Sequence, residues 1–380
     1  MTDDSDPPLS TSSVLDTTTQ AIDVFLASRQ DNGSIAGIGY WQVANGYTAM
    51  ILHELWSHTS NFVGVIRESL EAVESAQPGF INEFNDDSMW WAIANLELFK
   101  VTHEATYLDC AYNIWAYVKQ YRLDKGEVIF RDMDMEGAVY WTSRDNETQL
   151  NTITTGLFAE LSARLSAFST GPDSHGAREE MISLAQGSLA WILRCRFDAK
   201  RKIVLDTIDY GGQGEVKDWT FTYTTGQTIA ASIAIHEALM TSNLVDGSDL
   251  LALACDLAQS AMQRHYNPSW VDLDRTLSSA EYPGRDNSPW DNNDAVGFKS
   301  ILLRSLAKLL CILEDAYGEV DQEDNLQSTL RAFIRQQFAS LTSRNTNGHG
   351  QYGAFWAGPF EAPTSHNQLA VLDAMAAVHV

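Results

Sequence analysis

Apolar residues recur along most of the chain at the three- to four-residue spacing of helices that bury one face. In "WWAIANLELF" and "AFIRQQFASL" they fall at positions i, i+3 and i+4, which is typical of a stripe that packs against a core. Alanine-rich runs such as "GQTIAASIAIHEAL" favour closely packed inner helices. The pattern predicts helices near residues 13–30, 42–58, 60–76, 86–102, 104–122, 148–169, 176–197, 226–242, 247–266, 293–317, 322–342 and 363–379.

These helices form six consecutive pairs, and no linker rich in Pro, Gly or Ser divides them. We therefore expect a flexible N-terminal segment at residues 1–12 and a single all-α domain at residues 13–380. A toroid of six helical hairpins, with inner helices ringed by outer ones, fits the count, and a helical solenoid is the alternative. The segments "GEVIFRDMDMEGAVYW" and "KRKIVLDTIDYGG" lie between helices and are candidates for short hairpins.

Polar and aromatic residues cluster at the start of every second predicted helix. If the helices alternate between outer and inner positions, the even-numbered ones share a direction and their N-termini meet at one face. The six clusters are "YWQVAN", "FNDDSMWW", "VYWTSRDNETQLNTIT", "DWTFTYTTGQ", "PWDNNDAVGFK" and "YGAFWAGPFEAPTSHNQ". Together they would form an aromatic cleft into which the positive ends of the helix dipoles point.

Two adjacent carboxylates, Asp86 and Asp87, lie at the start of the fourth predicted helix. One interpretation is structural, because Asn85 or Asp86 can cap the helix and an acid in its first turn interacts favourably with the dipole. The other is glycoside cleavage, which needs two carboxyl groups about 5–5.5 Å apart for retention or about 6.5–9.5 Å for inversion. Adjacent residues reach the shorter distance, and their repulsion would leave a protonated acid beside an ionised nucleophile. If the chain cleaves glycosides, the short distance between the two carboxylates favours a mechanism that retains the anomeric configuration.

The net charge indicates which kinds of partner to expect, and the start of the sequence indicates the compartment. The chain has 25 basic and 50 acidic residues, a net charge of −25, which repels phosphate backbones and anionic lipids. We expect no nucleic-acid or membrane partner, and no run approaches the ~20 apolar residues of a membrane helix. The start, "MTDDSDPPLSTSS", shows no signal peptide, so the sequence as given predicts a cytoplasmic protein, or a secreted one if it is a trimmed mature form.

The sequence predicts no metal, no cofactor and a monomer. "DMDMEG" and "DNNDAVG" resemble fragments of calcium loops but lack the full ligand series. The nine histidines form no HExxH pattern, and no serine lies in a GxSxG elbow. The cysteines are widely spaced, so we expect free thiols, as in a reducing compartment.

The segment "FNDDSMWWAIANLELFKVTHEATYLDCA" resembles the active-site segment of glycoside hydrolase family 76. The likeness continues in family order through "GAVYWTS", "NTITTGLFAELSARL", "TFTYTTG", "DNNDAVGFKSILLRSL" and "YGAFWAGPF", over residues 38–375. That family contains bacterial endo-α-1,6-mannanases and fungal cell-wall proteins. The resemblance implies an (α/α)6 barrel and a retaining mechanism in which Asp86 is the nucleophile and Asp87 the general acid/base.

The resemblance also implies where a substrate would bind. It places on the family's cleft motifs Tyr140, Trp141, Asn151, Tyr223, Lys299 and Trp356, and it places Asp206 at a recurrent acidic position. The clusters at the predicted helix starts add Trp41, Asn45, Asn85, Trp90, Thr225 and Asp294.

Several residues depart from the family pattern. Thr224 and Thr225 stand where members usually carry Asn-Gln, and Thr155 stands where Asn is common. Gln42 also follows a lone tryptophan where a tryptophan pair is common. Fewer amides would face a sugar, so two kinds of substrate stay open: an α-mannan oligosaccharide, for hydrolysis or transglycosylation, or a small metabolite that the Asp pair isomerises, cyclises or eliminates. A non-catalytic glycan-binding module is the third possibility.

Overall fold

The computed structural model of the chain describes residues 11–169, 175–242, 247–263, 270–271, 275–277, 293–318 and 325–380. Within these ranges the helices are α1 (Thr11–Leu26), α2 (Tyr40–Ser57), α3 (Val63–Ala76), α4 (Asn85–Thr102), α5 (Ala105–Val118), α6 (Thr152–Ser166), α7 (His175–Cys195), α8 (Thr222–Ser242), α9 (Ser248–Ala261), α10 (Asn293–Tyr317), α11 (Leu326–Arg344) and α12 (Ser365–Ala377). The short strands are β1 (Ile129–Phe130), β2 (Met133–Asp134), β3 (Gln149–Asn151), β4 (Phe197–Asp198), β5 (Ile203–Val204), β6 (Thr207–Asp209) and β7 (Glu215–Lys217).

The even-numbered helices form a closed ring. Each of them packs on the next, from α2 through α4, α6, α8 and α10 to α12, and α12 packs on α2. The odd-numbered helices lie outside, with α5 on α4, α7 on α6, α9 on α8 and α11 on α10, while α1 packs on α12. This arrangement confirms the predicted (α/α)6 barrel and excludes an open solenoid.

Burial follows from the sequence pattern of each helix. In α6 every residue is buried except Arg164, as an inner helix surrounded by neighbours requires. In α1 the buried residues keep to one face, at Val14, Thr18, Ala21, Ile22 and Phe25. The amphipathic helices therefore form the outer layer.

Glycine permits close packing between two inner helices. A Cβ atom added to Gly226 of α8 would lie 2.7 Å from the Cα atom of Leu302 in α10. The Leu302 Cα atom belongs to the backbone, so it cannot move away by a change of rotamer as a side-chain atom could. The absence of a side chain at Gly226 therefore permits the short distance between α8 and α10.

Short antiparallel sheets lie between the helices. β1 pairs with β2 inside the first predicted hairpin segment, and β5 pairs with β4. β6 lies between β3 and β7, with Leu150 opposite Ile208 and Ile208 opposite Val216. The helix predicted from residue 148 begins only at Thr152, because residues 149–151 form β3 and pair with β6.

Buried charges join the inner helices at the end away from their N-termini. Glu97 of α4 forms ion pairs with Arg164 of α6 at 2.9 Å and with Lys308 of α10 at 3.0 Å. Arg164 also contacts Glu160 at 3.0 Å. Burial would raise the pKa of Glu160, but Lys308 and Arg164 outweigh it and lower that pKa to about 2. These groups line a cavity of about 270 Å³.

None of the helices in the described ranges is both long enough and apolar enough to cross a bilayer.

Candidate active site

A cleft of about 340 Å³ lies where the N-termini of the inner helices meet. Its described lining residues are Trp41, Phe84, Asp86, Asp87, Trp90, Trp141, Gln149, Asn151, Asp206, Trp219, Phe221, Tyr223 and Phe298. Apart from Asp206, which lies between β5 and β6, they belong to the starts of α2, α4, α6, α8 and α10 or to the segments just before those helices. No residue of α12 is among them, so five of the six predicted clusters meet here.

Asn85 fixes the start of α4. Its backbone N–H donates to the carbonyl of Trp141 at 2.8 Å, and its side-chain Nδ2 donates to the carbonyl of Tyr140 at 2.9 Å. Asn85 is fully buried and does not line the cleft. It anchors the helix start to the segment that carries Trp141, which brings the next two residues, Asp86 and Asp87, to the cleft.

Asp86 is the more buried carboxylate, with 8% of its surface exposed. Its Oδ1 accepts a hydrogen bond from the backbone N–H of Asp87 at 2.9 Å. Burial raises the pKa of Asp86 to about 7, against the lowering effects of the first-turn amides and of the Thr154 and Trp141 side chains. Near neutral pH this carboxyl group can therefore be either protonated or ionised.

Asp87 is half-buried and has a side-chain partner. Its Oδ2 accepts a hydrogen bond from Nδ2 of Asn82 at 3.0 Å. Asn82 precedes α4 and does not line the cleft itself. The two carboxylates thus differ in environment, since one is held by backbone amides and the other by an amide side chain.

Aromatic rings form most of the cleft wall. The rings of Tyr223 and Phe298 stack with centroids 4.0 Å apart and planes inclined by 6°. The ring centroid of Trp41 lies 6.0 Å from that of Phe298 and 6.4 Å from that of Trp90. The ring centroids of Trp141 and Phe84 lie 4.9 Å apart. Flat apolar surfaces beside a few polar groups suit a ligand with both apolar faces and hydroxyl groups.

A third carboxylate, Asp206, lies in the cleft. Its Oδ2 accepts from the Thr207 hydroxyl at 2.9 Å, whereas its buried Oδ1 has no hydrogen-bond partner among the described residues. Burial raises the pKa of Asp206 to about 6, against the lowering effects of Thr207, Arg196 and Lys217. Nearby, Oδ1 of Asn151 caps α6 by accepting from the N–H of Thr154 at 3.1 Å.

The structure thus brings together eight residues that the sequence predicted for the site: Asp86, Asp87, Trp41, Trp90, Trp141, Asn151, Asp206 and Tyr223. Five lining residues were not among the predictions: Phe84, Gln149, Trp219, Phe221 and Phe298. All five lie inside the clusters at the inner helix starts, and for the four aromatic ones the density of aromatic residues there was the available signal.

Three predicted residues lie in the packed interior instead of the cleft. Oδ1 of Asn45 accepts from Nη1 of Arg304 at 2.7 Å, one turn below Trp41 on α2. Nζ of Lys299 donates to the carbonyl of Ala354 at 2.8 Å and lies 4.9 Å from the centre of the Trp356 ring. Trp356 is only 1% exposed. These contacts connect inner helices and the loop before α12.

Other predicted residues hold the segments behind the cleft. The hydroxyl of Tyr140 bonds that of Tyr210 at 2.6 Å, and Oγ1 of Thr225 accepts from the N–H of Val204 at 3.1 Å. Thr155 acts in the same way, since its Oγ1 accepts from the N–H of Val139 at 3.1 Å. The threonines that stand where the resemblance predicted amides therefore bind backbone. Asp294 lies in the first turn of α10, and its side chain is outside the described residues.

The described ranges contain no group of three or more His, Cys, Asp or Glu side chains that could hold a metal ion. In "DMDMEG" the Asp134 carboxylate accepts from the backbone N–H groups of Gly126 and Glu136, each at 3.0 Å. The motif "DNNDAVG" lies partly outside the described residues. Besides the Tyr223 hydroxyl and the tryptophan N–H groups, the described polar groups of the cleft are carboxylates and amides, which suit acid–base and nucleophilic chemistry on a neutral ligand.

Comparisons with known proteins fit this architecture. The sequence model of glycosyl hydrolase family 76 matches residues 11–380. No protein of curated function matches the sequence.

Solved structures share the fold. One is an inactive variant of an α-1,6-mannanase of Salegentibacter sp. HEL1_6, with two consecutive aspartates replaced by alanine, in complex with α-1,6-mannotetrose; it is 20% identical, covers 96% of this chain and 98% of its own, and has a TM-score of 0.77. A Listeria innocua protein is 17% identical over 96% of both chains, with a TM-score of 0.74. Dfg5 from Chaetomium thermophilum, in complex with glucosamine, is 13% identical over 97% of this chain and 91% of its own, with a TM-score of 0.72.

Proposed function

Because the chain belongs to glycosyl hydrolase family 76, whose model spans residues 11–380, we propose that it is a retaining glycoside hydrolase or transglycosylase acting on α-1,6-linked mannose oligosaccharides. The observation that carries this proposal is the placing of two consecutive carboxylates, Asp86 and Asp87, at an inner helix start within an aromatic cleft. In the Salegentibacter mannanase, a variant lacking two consecutive aspartates is inactive.

Asp86 is the nucleophile in this proposal. It attacks the anomeric carbon and forms a covalent glycosyl-enzyme as the bond to the leaving oxygen breaks. Its fixed, buried position supports this role, because the Asp87 amide holds Oδ1 at 2.9 Å and limits its motion. Attack requires the ionised form, which the first-turn amides of α4 favour and which burial disfavours, so that the pKa of Asp86 is about 7.

Asp87 is the general acid and then the general base. It gives its proton to the leaving oxygen in the first step and takes a proton from water, or from an acceptor hydroxyl, in the second. Its greater exposure supports this role, since an acid/base must exchange its proton with substrate and solvent in every cycle.

A second candidate substrate is a small metabolite, on which the same pair would catalyse isomerisation, cyclisation or elimination. The cleft volume of about 340 Å³ favours it, because that value is near the lower limit of ligand pockets. The use of Thr155 and Thr225 to hold backbone, instead of sugar-binding amides, favours it as well.

Turnover of α-1,6-mannotetraose by wild-type protein and by the Asp86→Asn and Asp87→Asn variants tests the proposed function. We expect each variant to lose at least about 10³-fold in kcat, because each removes one essential group. Asp249→Asn is the matched control, since Asp249 also lies in the first turn of a helix, α9, but outside the cleft.

Three outcomes would contradict the proposal in different ways. Wild-type protein that never cleaves the oligosaccharide would favour the small-metabolite substrate. Binding without cleavage, unchanged in both variants, would indicate a glycan-binding module. Cleavage that survives both substitutions would exclude the Asp pair.

A further inference from the structure

We propose that Asn82 is a positioning residue for the acid/base carboxylate: it holds Oδ2 of Asp87, so that Oδ1 is the oxygen that carries the proton to and from the substrate. This inference rests on the proposed role of Asp87. Neither the sequence pattern nor the family resemblance singled out Asn82, which lies three residues before α4.

The orientation of the Asn82 side chain is fixed by its own contacts. Its Oδ1 accepts a hydrogen bond from the backbone N–H of Phe84 at 2.7 Å. Only the carbonyl oxygen of an amide side chain can accept from an N–H group, so the NH₂ group must lie on the other side. That group is Nδ2, which lies 3.0 Å from Oδ2 of Asp87.

The segment that carries Asn82 is tied to α4. The backbone N–H of Asn82 donates to Oγ of Ser88 at 2.9 Å, and the Ser88 hydroxyl lies 3.1 Å from the carbonyl of Phe84. Ser88 is fully buried and follows Asp87 directly. Asn82 and Asp87 are therefore joined through backbone as well as side chain, and the amide reaches the carboxylate in a fixed geometry.

This geometry distinguishes the two oxygens of Asp87. When the carboxyl group is protonated, the oxygen that accepts from Asn82 is the carbonyl oxygen, and the proton resides on Oδ1. As the glycosidic C–O bond breaks and the bond from Asp86 forms, the Oδ1 proton moves to the leaving oxygen. The resulting carboxylate keeps its hydrogen bond from Asn82, and it regains a proton at Oδ1 from water or an acceptor hydroxyl in the second step.

The Asn82 amide also opposes the repulsion among neighbouring acidic groups. Asp86 adjoins Asp87 on α4, and Asp206 lies on the same cleft. Tyr40 at the start of α2 is close enough that the Asp87 charge, after burial, contributes to the raised pKa of its phenol. A neutral donor at this point stabilises the Asp87 charge, which the charges of Asp86 and Asp206 destabilise.

Asn82→Asp tests the inference with little change in shape. The new side chain keeps the oxygen that accepts from Phe84 but replaces the donor that faces Asp87 with a second negative charge. We expect the alkaline limb of kcat/KM against pH, which reports the proton on the general acid, to move upward by roughly one pH unit. We also expect kcat/KM for α-1,6-mannotetraose to fall roughly 10- to 100-fold.

The matched control is Asn32→Asp. Oδ1 of Asn32 accepts from the N–H of Ser34 at 3.1 Å, two residues along the chain, as Oδ1 of Asn82 does from Phe84. The substitution adds the same charge to the same type of turn outside the cleft, so we expect the wild-type pH profile and rate.

Aryl mannosides that differ in leaving group separate positioning from general structural damage. A phenol of low pKa leaves without protonation, so Asn82→Ala and Asn82→Asp should lose much less activity on activated aryl mannosides than on mannotetraose. A uniform loss on all substrates, or a pH profile equal to that of wild type, would overturn the inference.

This test also distinguishes the two proposals. If wild-type protein cleaves no mannoside, or if Asp87→Asn is as active as wild type, the proposed function fails. If Asp87→Asn is inactive but both Asn82 variants keep the wild-type pH profile and leaving-group dependence, only the role of Asn82 fails.

Discussion

Asp86 is 8% exposed at the start of α4, and its burial raises the pKa of its carboxyl group to about 7. An unfolded chain would ionise the same residue near pH 4. Between these values the folded protein favours the protonated form, whereas the proposed nucleophile must be ionised. The folded state is thus destabilised by the charge that the chemistry requires.

We predict that Asp86→Asn stabilises the protein, and more so at higher pH. A carboxyl group with a raised pKa contributes stability that is fully present below about pH 4 and is lost as pH rises through about 7. Asn cannot ionise, so its advantage in unfolding free energy should grow over this interval to about 2–4 kcal/mol and stay constant above it. Urea unfolding of both proteins at pH 4, 6 and 8 measures this difference, and a constant difference would contradict the raised pKa.

At the scale of elements, the starts of the inner helices must converge closely enough to form the cleft. Gly226 lies one turn after Tyr223 on α8 and faces the backbone of α10, which carries Phe298. Tyr223 and Phe298 stack at 4.0 Å. The close approach at Gly226 therefore supports the ring stack that forms one cleft wall.

We predict that Gly226→Ala destabilises the fold by about 1–3 kcal/mol, because the added methyl group overlaps the Leu302 backbone. Gly64→Ala is the control, since Gly64 lies in outer helix α3 with no other atom within 4 Å of an added Cβ. That change should be neutral or stabilising by up to about 1 kcal/mol. Equal stability of the two variants in urea would contradict the tight contact between α8 and α10.

The helices could be predicted because the spacing of apolar residues that indicates a helix lies within the helical segment itself. All twelve lie near their predicted positions, and the late start of α6 arose from strand pairing with distant residues that periodicity does not record. The cleft was predicted where it depends on the first two turns of an inner helix, as at Trp41, Asp86 and Trp90.

The remaining site residues could not be predicted for two physical reasons. Asn45 and Lys299 share clusters with cleft residues but lie deeper, where Arg304 of α10 binds Asn45 and the carbonyl of Ala354, in the loop before α12, binds Lys299. Gln149 and Trp219 reach the cleft from strands and loops, whose path depends on tertiary pairing. A cluster in sequence indicates the correct end of the barrel but not which side chains face the opening.

At the scale of the whole molecule, the two ends of the ring differ in their electrostatics. At the far end, Arg164 and Lys308 neutralise Glu97 and Glu160. At the cleft, no lysine or arginine is among the described lining residues, and Arg196 and Lys217 lower the pKa of Asp206 by less than its burial raises it. One end therefore stabilises the barrel, while the other keeps carboxylates available for a substrate.

The central claim is that this cleft cleaves α-mannosides with retention through Asp86 and Asp87. The most direct test is to follow the digestion of α-1,6-mannotetraose by proton NMR from the first minutes, before the product anomers equilibrate. We predict that the α-anomer of the new reducing end forms first and that neither Asp86→Asn nor Asp87→Asn produces it. A β-anomer formed first, or no cleavage by wild-type protein, would contradict the claim.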